Sequence, residues 1–316
     1  MTLRVAVTGV TGDAGRGAVR GLRRNPSGAE SIWILGLGAS ADTEPLVDEH
    51  LQLPQVSRPE YPDALKAALR QHEIEVLLPC IDSEIAILST ARDRLAGSGC
   101  NVVLAPSELV EAAEDKLLTA TYLSARDIRT PVTFETTPAD ELAFPVLAKP
   151  RSGHGSQGIR LLADHAALQE FTAAQPPNYC IQEYVAGPEF TVGFLYDTDG
   201  VMQDAVAMER TLEAGRTVRA RVDANPDMQQ FITDFGERIR GVGAVNAQLR
   251  WDDDHGPVVF EINARLSGST EMRIAVGCND PLRLVLHFGR GEPIVRACPR
   301  SAVIHRDGSE LRVEPC

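Results

Sequence analysis

Val258-Val259-Phe260-Glu261-Ile262-Asn263-Ala264-Arg265 is the stretch on which the reading of this chain turns. It opens as a β-branched, apolar strand, and a side-chain period of two sets Glu261, Asn263 and Arg265 on one face. A carboxylate, an amide oxygen and a guanidinium then point the same way. The plain alternative is a surface cross-strand ion pair between Glu261 and Arg265. Asparagine is depleted in strands, so Asn263 in the middle of this one argues for a task. The preceding segment, Val245-Asn246-Ala247-Gln248-Leu249, reads as a hairpin partner across Asp252-Asp253-Asp254-His255-Gly256 and brings Gln248 to the same face. A few hard oxygen ligands, completed by phosphates and water, are the usual way of holding Mg²⁺.

Upstream, Phe144-Pro145-Val146-Leu147-Ala148-Lys149-Pro150 is a buried-strand pattern with one lysine, and Ser152-Gly153-His154-Gly155-Ser156-Gln157-Gly158 follows at once. A buried ammonium needs an anionic partner. A loop of glycine and serine can lie flat and donate backbone amides to phosphate oxygens. The order is not that of a Walker loop, because the lysine precedes the glycines; taken alone, the loop is equally a flexible hairpin. Tyr179-Cys180-Ile181-Gln182-Glu183-Tyr184-Val185 is a strand with a polar end, followed by Gly187-Pro188-Glu189 and the strand Phe190-Thr191-Val192-Gly193-Phe194. Backbone groups around Glu183 to Val185 suit the edge of a purine, and Glu189 suits ribose hydroxyls.

The first hundred residues have another rhythm. Residues 3 to 9 are strand-like, Gly9, Gly12 and Gly15 follow, and Ala18 to Arg24 is helical in composition. The cycle repeats with a strand over 31–35, a helix over 61–71 and a strand over 76–79. Such alternation predicts a parallel sheet with helices on both faces. The glycines invite an NAD(P)-dependent oxidoreductase reading, but their spacing is G-x-x-G-x-x-G and the second strand ends in Leu35-Gly36-Leu37-Gly38, without the acidic residue that holds a ribose. A structural turn is the better reading. After the third strand, Asp82 and Glu84 stand where a parallel sheet presents its ligand-facing loops, although Asp82 or Ser83 equally reads as the cap of a helix starting near Glu84. Val102-Val103-Leu104-Ala105-Pro106 is a further strand, Ser107 reads as the next N-cap, and a domain boundary falls near residue 105.

Composition narrows the function classes. The chain has 316 residues, 43% of them apolar and 24% charged, the balance of an ordinary globular protein. Its 44 acidic against 31 basic residues give a net charge of -13, which argues against nucleic acid as a partner. No apolar run approaches the roughly 18 residues of a spanning helix, and the strand at Leu3 follows Met1 with no signal-peptide pattern, so no membrane and a cytoplasmic location are expected. The 6 cysteines lie far apart without a C-x-x-C pair and read as reduced, structural thiols. An acidic chain with an apolar N-terminal half suits a C2 homodimer.

In this order, Lys116, Lys149 with its glycine loop, the Gln182 to Glu189 hinge, Gln248 and Glu261-x-Asn263-x-Arg265 resemble the ATP-grasp superfamily. Gln248 stands as in its carbamoyl-phosphate synthetase large-subunit branch. The resemblance implies an α/β protein with a Rossmann-like pre-ATP-grasp domain over 1–105. A two-part α+β ATP-grasp fold over 106–316 would follow, its lid at about 120–184. It implies that Lys116 and Lys149 contact the phosphates of ATP while Ser152, Gly153, Gly155, Ser156 and Gly158 close over them. Gln182, Glu183, Tyr184, Val185 and Glu189 would hold adenine and ribose, and Gln248, Glu261 and Asn263 would bind Mg²⁺ or Mn²⁺. Arg265 would stabilise the transferred phosphoryl group, with Arg210 as a further phosphate or substrate contact. Ser267, Gly268 and Arg273 would line the substrate pocket, Arg273 either facing a substrate carboxylate or lying on a helix surface. The implied activity is ligation of a small-molecule carboxylate to an amine through an acyl phosphate, with release of ADP and phosphate; a kinase that stops at a phosphorylated acceptor is the alternative. A single ATP-grasp unit sets the chain apart from carbamoyl-phosphate synthetase, which has two.

Overall fold

Leu3, Val5 and Val7 of β1 (Thr2–Thr8) point into one apolar layer and Ala6 into the other, all of them fully buried. That is what a central strand covered on both faces requires. The structure, a computed structural model, describes residues 2–25, 31–38, 45–135, 143–153, 155, 157–174, 178–223, 226–308 and 310–316. From β1 the chain continues through α1 (Asp13–Arg23), β2 (Ser31–Gly38), β3 (Glu49–Gln52), α2 (Tyr61–Gln71), β4 (Val76–Leu78), α3 (Asp82–Thr90), α4 (Arg92–Leu95) and β5 (Asn101–Val102). The strands form a parallel sheet in the order β3-β2-β1-β4-β5, the alternating architecture expected from the sequence.

Three local expectations need correction. Helix α1 starts at Asp13 rather than near Ala18, since the glycine turn feeds straight into it and Asp13 suits the positive end of the helix. A side chain at Gly15 would collide with the carbonyl oxygens of Thr8 and Gly9, so close strand–helix approach accounts for that glycine. Neither Asp82 nor Ser83 caps α3: the cap is Ile81, with no side-chain hydrogen bond. Likewise α5 (Ser107–Glu114) is capped at Pro106, and the Ser107 hydroxyl pairs with Ser89 Oγ at 3.1 Å.

The second layer comprises α6 (Lys116–Ser124), β6 (Thr133–Phe134), β7 (Val146–Pro150), β8 (Arg160–Leu162), α7 (His165–Ala173) and β9 (Tyr179–Glu183). Its strands form an antiparallel sheet, β6-β9-β7-β8, over a small core of Val146, Ala148, Leu162, Leu168, Phe171 and Ile181. The chain then runs through β10 (Glu189–Tyr196), β11 (Met202–Glu213), β12 (Arg216–Val222), α8 (Pro226–Arg238), β13 (Gly243–Asp252), β14 (Gly256–Asn263), α9 (Thr270–Ala275), α10 (Asp280–Arg290), β15 (Ala302–Asp307) and β16 (Glu310–Pro315). These strands make a seven-stranded antiparallel sheet in the order β14-β13-β10-β11-β12-β15-β16.

One face of that sheet, with Val192, Phe194, Val245, Ala247 and Leu249, packs on Phe231, Ile232 and Phe235 of α8 and joins the apolar layer under the first sheet. Leu282, Leu284 and Val285 of α10 return to the opposite layer, beside Leu3, Val5 and Val7. The N-terminal sheet and the rest of the chain therefore share apolar cores on both sides. The other face is divided: Val206, Met208, Ala220 and Val222 pack on Met272, Val276 and Cys278, and the polar residues gather toward β13 and β14. No helix among the described residues is long and apolar enough to cross a membrane.

Candidate active site

A cleft of about 1050 Å³, counting its open mouth, lies between the small sheet and the polar face of the large one. Lys116, Lys149, Gly153, Gly155, Gln182, Glu183, Tyr184, Val185, Glu189, Arg210, Gln248 and Glu261 all line it. On β7 the period of two sends Val146 and Ala148 into the small core and turns Leu147 and Lys149 to the cleft. Lys149 is 6% exposed; its Nζ donates to Gln182 Oε1 at 2.7 Å and lies 5.0 Å from the centre of the Phe260 ring. Burial pulls its pKa down to about 8, against the pull of the Glu261 carboxylate. Gln182 Nε2 donates to Thr133 Oγ1 at 2.9 Å, which orients the amide that receives the lysine.

Lys116 opens α6. Asp115 caps that helix by accepting from Leu117 N at 2.8 Å and also holds Arg151 at 2.7 Å, while Lys116 N donates to Arg151 O. The start of α6 is thus tied to the chain leaving β7, and Lys116 Nζ stands 3.5 Å from Gly153 O. Gly153 and Gly155 carry positive φ, and the Gly155 carbonyl packs on Gly215, at the β11–β12 turn. Gly158 packs instead on Pro150 and Tyr179, and Ser152 is exposed beside the cleft without lining it. Ser156, expected in this loop, lies outside the described residues.

The apolar part of the cleft is a slot lined by Pro131, Leu147, Ile159, Leu212 and Phe260, with Tyr184 and Val185 beside it. The Glu183 carboxylate is turned back to accept from Val132 N at 3.0 Å, and the Glu183 N–H donates to Val132 O.

Across the sheet runs an unbroken polar relay. Arg250 Nη2 and Arg210 Nη2 donate to the two oxygens of Glu189, at 2.9 and 2.7 Å. Arg210 also donates to Gln248 Oε1 at 2.6 Å, and Gln248 Nε2 to Glu261 Oε1 at 2.9 Å. Asn263 Nδ2 meets the same Glu261 oxygen at 3.1 Å, and Arg265 Nη2 reaches Asn263 Oδ1 at 3.3 Å. Strand register produces this order, with Glu189 opposite both Arg210 and Arg250, and Gln248 opposite Glu261. A bulge pairs Leu249 with Val259, so consecutive Phe260 and Glu261 both face the cleft, a break in the expected alternation. β14 ends at Asn263, and Arg265 joins the relay from beyond it.

Gln248 and Asn263 both turn their amide nitrogens to Glu261 Oε1, while their amide oxygens accept from Arg210 and Arg265. Among the described residues no three His, Cys, Asp or Glu side chains gather as a metal site. One carboxylate and two amides suit a hard cation such as Mg²⁺ that takes most of its oxygens from phosphates and water, once the amides turn their oxygens to it.

Asn263 and Arg265 sit behind the cleft lining, and the expected substrate residues lie elsewhere. Arg273 is 1% exposed: Nε donates to Asp280 Oδ2 at 2.6 Å, and the other nitrogens to Ser267 and Thr270 hydroxyls. It is neither a pocket arginine nor a surface one, because Asp280 neutralises it inside the protein. Gly193 is the sequence signal for this packing, since a side chain there would run into the Arg273 guanidinium. Ser267 is held by Arg273, and Gly268 lies against Asp13 and accepts from Arg306. Asp13 in turn pairs with Arg216 at 2.6 Å, which makes the glycine turn part of a junction between the first sheet and the large one. Glu84, offered from sequence as a substrate contact, is wholly buried; it accepts from Thr8 Oγ1 at 2.5 Å and from Tyr61, and burial pushes it up to about 7. Asp82 accepts both Nε and Nη2 of Arg265, at 2.6 and 2.5 Å. Arg250 and Phe260 were missed from sequence; Arg250, two residues after Gln248, was within reach of the same alternation.

Residues 113–269 match the family model described as an ATP-grasp domain, and residues 27–103 the one described as a PylC-like, N-terminal domain. Over 199 residues the chain is 34% identical to the carbamoyl phosphate synthase large chain of Corynebacterium glutamicum, covering 55% of this chain and 18% of that one. In fold it is similar to N5-carboxyaminoimidazole synthetase from Staphylococcus aureus complexed with ADP, with a TM-score of 0.76 and 15% identity over 96% of this chain and 83% of that chain. It is also similar to the L-amino acid ligase from Bacillus licheniformis, with a TM-score of 0.75 and 17% identity over 96% and 79% of the two chains. The chain spans 31% and 18% of the length of the curated relatives it matches.

Proposed function

Because the chain carries an ATP-grasp domain over residues 113–269 behind a PylC-like N-terminal domain, we propose that it is an ATP-dependent carboxylate–amine ligase. The observation that supports this most is the gathering, on one cleft, of Lys116, Lys149, Glu189, Arg210, Gln248 and Glu261 from six separate elements. Lys116 and Lys149 set positive charge at the phosphate end, beside the backbone of Gly153 and Gly155. The apolar slot takes the adenine against the backbone of Glu183 to Val185, and Glu189 faces the ribose. Glu261, with the amide oxygens of Gln248 and Asn263, would hold Mg²⁺ or Mn²⁺, which when bound neutralises phosphate oxygens and acts as a Lewis acid.

In this reading a carboxylate oxygen of the acid attacks the γ-phosphorus of ATP, and the bond from phosphorus to the ADP oxygen breaks. The amine nitrogen then attacks the acyl carbon, the carbon–oxygen bond to phosphate breaks, and the surplus proton of nitrogen leaves to solvent. Such chemistry asks the protein for positioning and neutralisation, which the two lysines, Arg210 and Arg265 supply. The acyl phosphate hydrolyses readily, so the glycine loop serves to keep water out, as part of a lid at about 120–184, while residues 1–105 face the acceptor.

The test is a coupled ADP-release assay with Mg²⁺ and ATP against amino acids and small carboxylates, singly and in pairs, with mass detection. ADP release that needs a pair and accompanies their condensed mass supports the ligase. Release with one acceptor and the gain of one phosphoryl group makes it a kinase. Stabilisation by ATP without turnover across the panel counts against both.

A further inference from the structure

The expected role of Asp82 as a helix cap left its carboxylate without a special purpose; the fold gives it one. Asp82 lies in the first turn of α3, in the N-terminal sheet domain, and receives Arg265 across 183 residues of sequence in a two-pronged pair at 2.6 and 2.5 Å. Paired forks of this kind fix both the plane and the direction of a guanidinium. Arginine has five N–H groups. Nε and one Nη2 hydrogen go to Asp82, the second Nη2 hydrogen to Asn263 Oδ1, and one Nη1 hydrogen to Leu266 O at 3.0 Å. One donor, on Nη1, is left for an incoming group, and its direction follows from the Asp82 pairing.

The backbone under Asp82 is itself held. Two residues on, Glu84 ties the end of β1 through Thr8 and the start of α2 through Tyr61. The pair is not what joins the two parts of the chain, since Leu282, Leu284 and Val285 of α10 already share a core with Leu3, Val5 and Val7. The Asp82 side chain is 40% exposed, and ion pairs with so wet a partner contribute little to stability.

We infer that Asp82 is a positioning residue, through which the N-terminal domain fixes the Arg265 guanidinium behind Asn263 and Glu261, at the end of the cleft that Glu261 lines. The kinetic consequence rests on the ligase reading; the geometric one does not. Two measurements test them on the whole 316-residue chain. In ¹H–¹⁵N spectra of arginine Nε groups, with the Arg265 signal assigned through Arg265→Lys, Asp82→Asn should move or broaden that signal. In the ligase assay, Asp82→Asn should lower kcat roughly 100-fold, the scale of a misplaced catalytic group. The KM for ATP should stay within about twofold, and the double variant should be no slower than Arg265→Lys alone.

An unmoved Arg265 signal in Asp82→Asn overturns the proposal. So does a kcat close to wild type, or a double variant in which the two losses multiply, because Asp82 would then act independently of Arg265. Should the wild type show no pair-dependent ADP release, the ligase reading fails, and the Nε spectra still decide whether Asp82 orients Arg265.

Discussion

Lys149 Nζ lies 2.7 Å from Gln182 Oε1, so the one lysine of β7 rests on a neutral amide while the strongest opposing charge, Glu261, acts through space. Burial without a bonded carboxylate is what brings its pKa down to about 8. An ammonium in this setting is held ready for phosphate oxygens, which would supply the missing charge.

A pH dependence follows. Below about pH 8 Lys149 is charged and, in the proposed role, would attract ATP; above it the free protein loses that charge. The kcat/KM for ATP should therefore fall as pH rises through about 8, and the alkaline limb of kcat should lie higher, because bound phosphates favour the ammonium. In the unfolded chain this lysine stays protonated up to its ordinary 10.5, so the stability of the ATP-free protein should rise from about pH 8 toward 10.5. Lys149→Gln should lack both effects; pH–rate profiles and Tm against pH check them.

Glu261 is the carboxylate of the trio it forms with the amides of Gln248 and Asn263. Mg²⁺ added without nucleotide should leave Tm unchanged, whereas ATP with Mg²⁺ should raise it more than ATP with a chelator. Glu261→Gln should remove that difference and lower ligation at least roughly 100-fold, the scale of losing metal-assisted charge neutralisation. Equal stabilisation by ATP in both variants would place the metal elsewhere.

Gly215 and Gly291 both have positive φ, at 77° and 69°, but only Gly215 has backbone against it, the carbonyl of Gly155. Alanine at either position should cost about 1–2 kcal/mol of left-handed strain. Gly215→Ala should in addition push the glycine loop off the β11–β12 turn and raise the KM for ATP several-fold. Gly291→Ala, with open space around it, should leave that KM unchanged; steady-state kinetics alongside thermal melts separate the two effects.

Glu84 is pushed up to about 7 by burial, with the hydrogen bonds from Thr8 and Tyr61 pulling the other way. Its folded value lies above the ordinary 4.5, so the folded state binds the extra proton and stability falls as pH rises from about 4.5 through 7. Glu84→Gln mimics the protonated form. Its Tm should depend less on pH across that window and should match or exceed the wild type above pH 7; a larger loss for the variant at pH 8 than at pH 5 would contradict this.

Much of the fold was legible because local patterning and global architecture agree. The β13–β14 hairpin could be read from alternation and its aspartate-rich turn, and α2 runs over the expected 61–71. The placement of Phe260 was not legible, because a bulge inserts one residue and no local signal marks it. Arg273 was misread for a related reason. Arginine is exposed in most settings, and only its contact with Asp280, over the bare Gly193, shows that its charge is neutralised within the core.

The sequence by itself determined the alternating parallel half and the β13–β14 hairpin. Those follow from side-chain period and turn chemistry, which act over a few residues. Only the tertiary structure decided the partners: Asp82 with Arg265, Asp13 with Arg216, and Glu84 with Thr8 and Tyr61. A carboxylate at a strand-to-helix turn has the same local pattern whether it caps, binds or pairs. Which of these it does depends on what distant chain is packed against it, and burial sets how strongly that partner is needed.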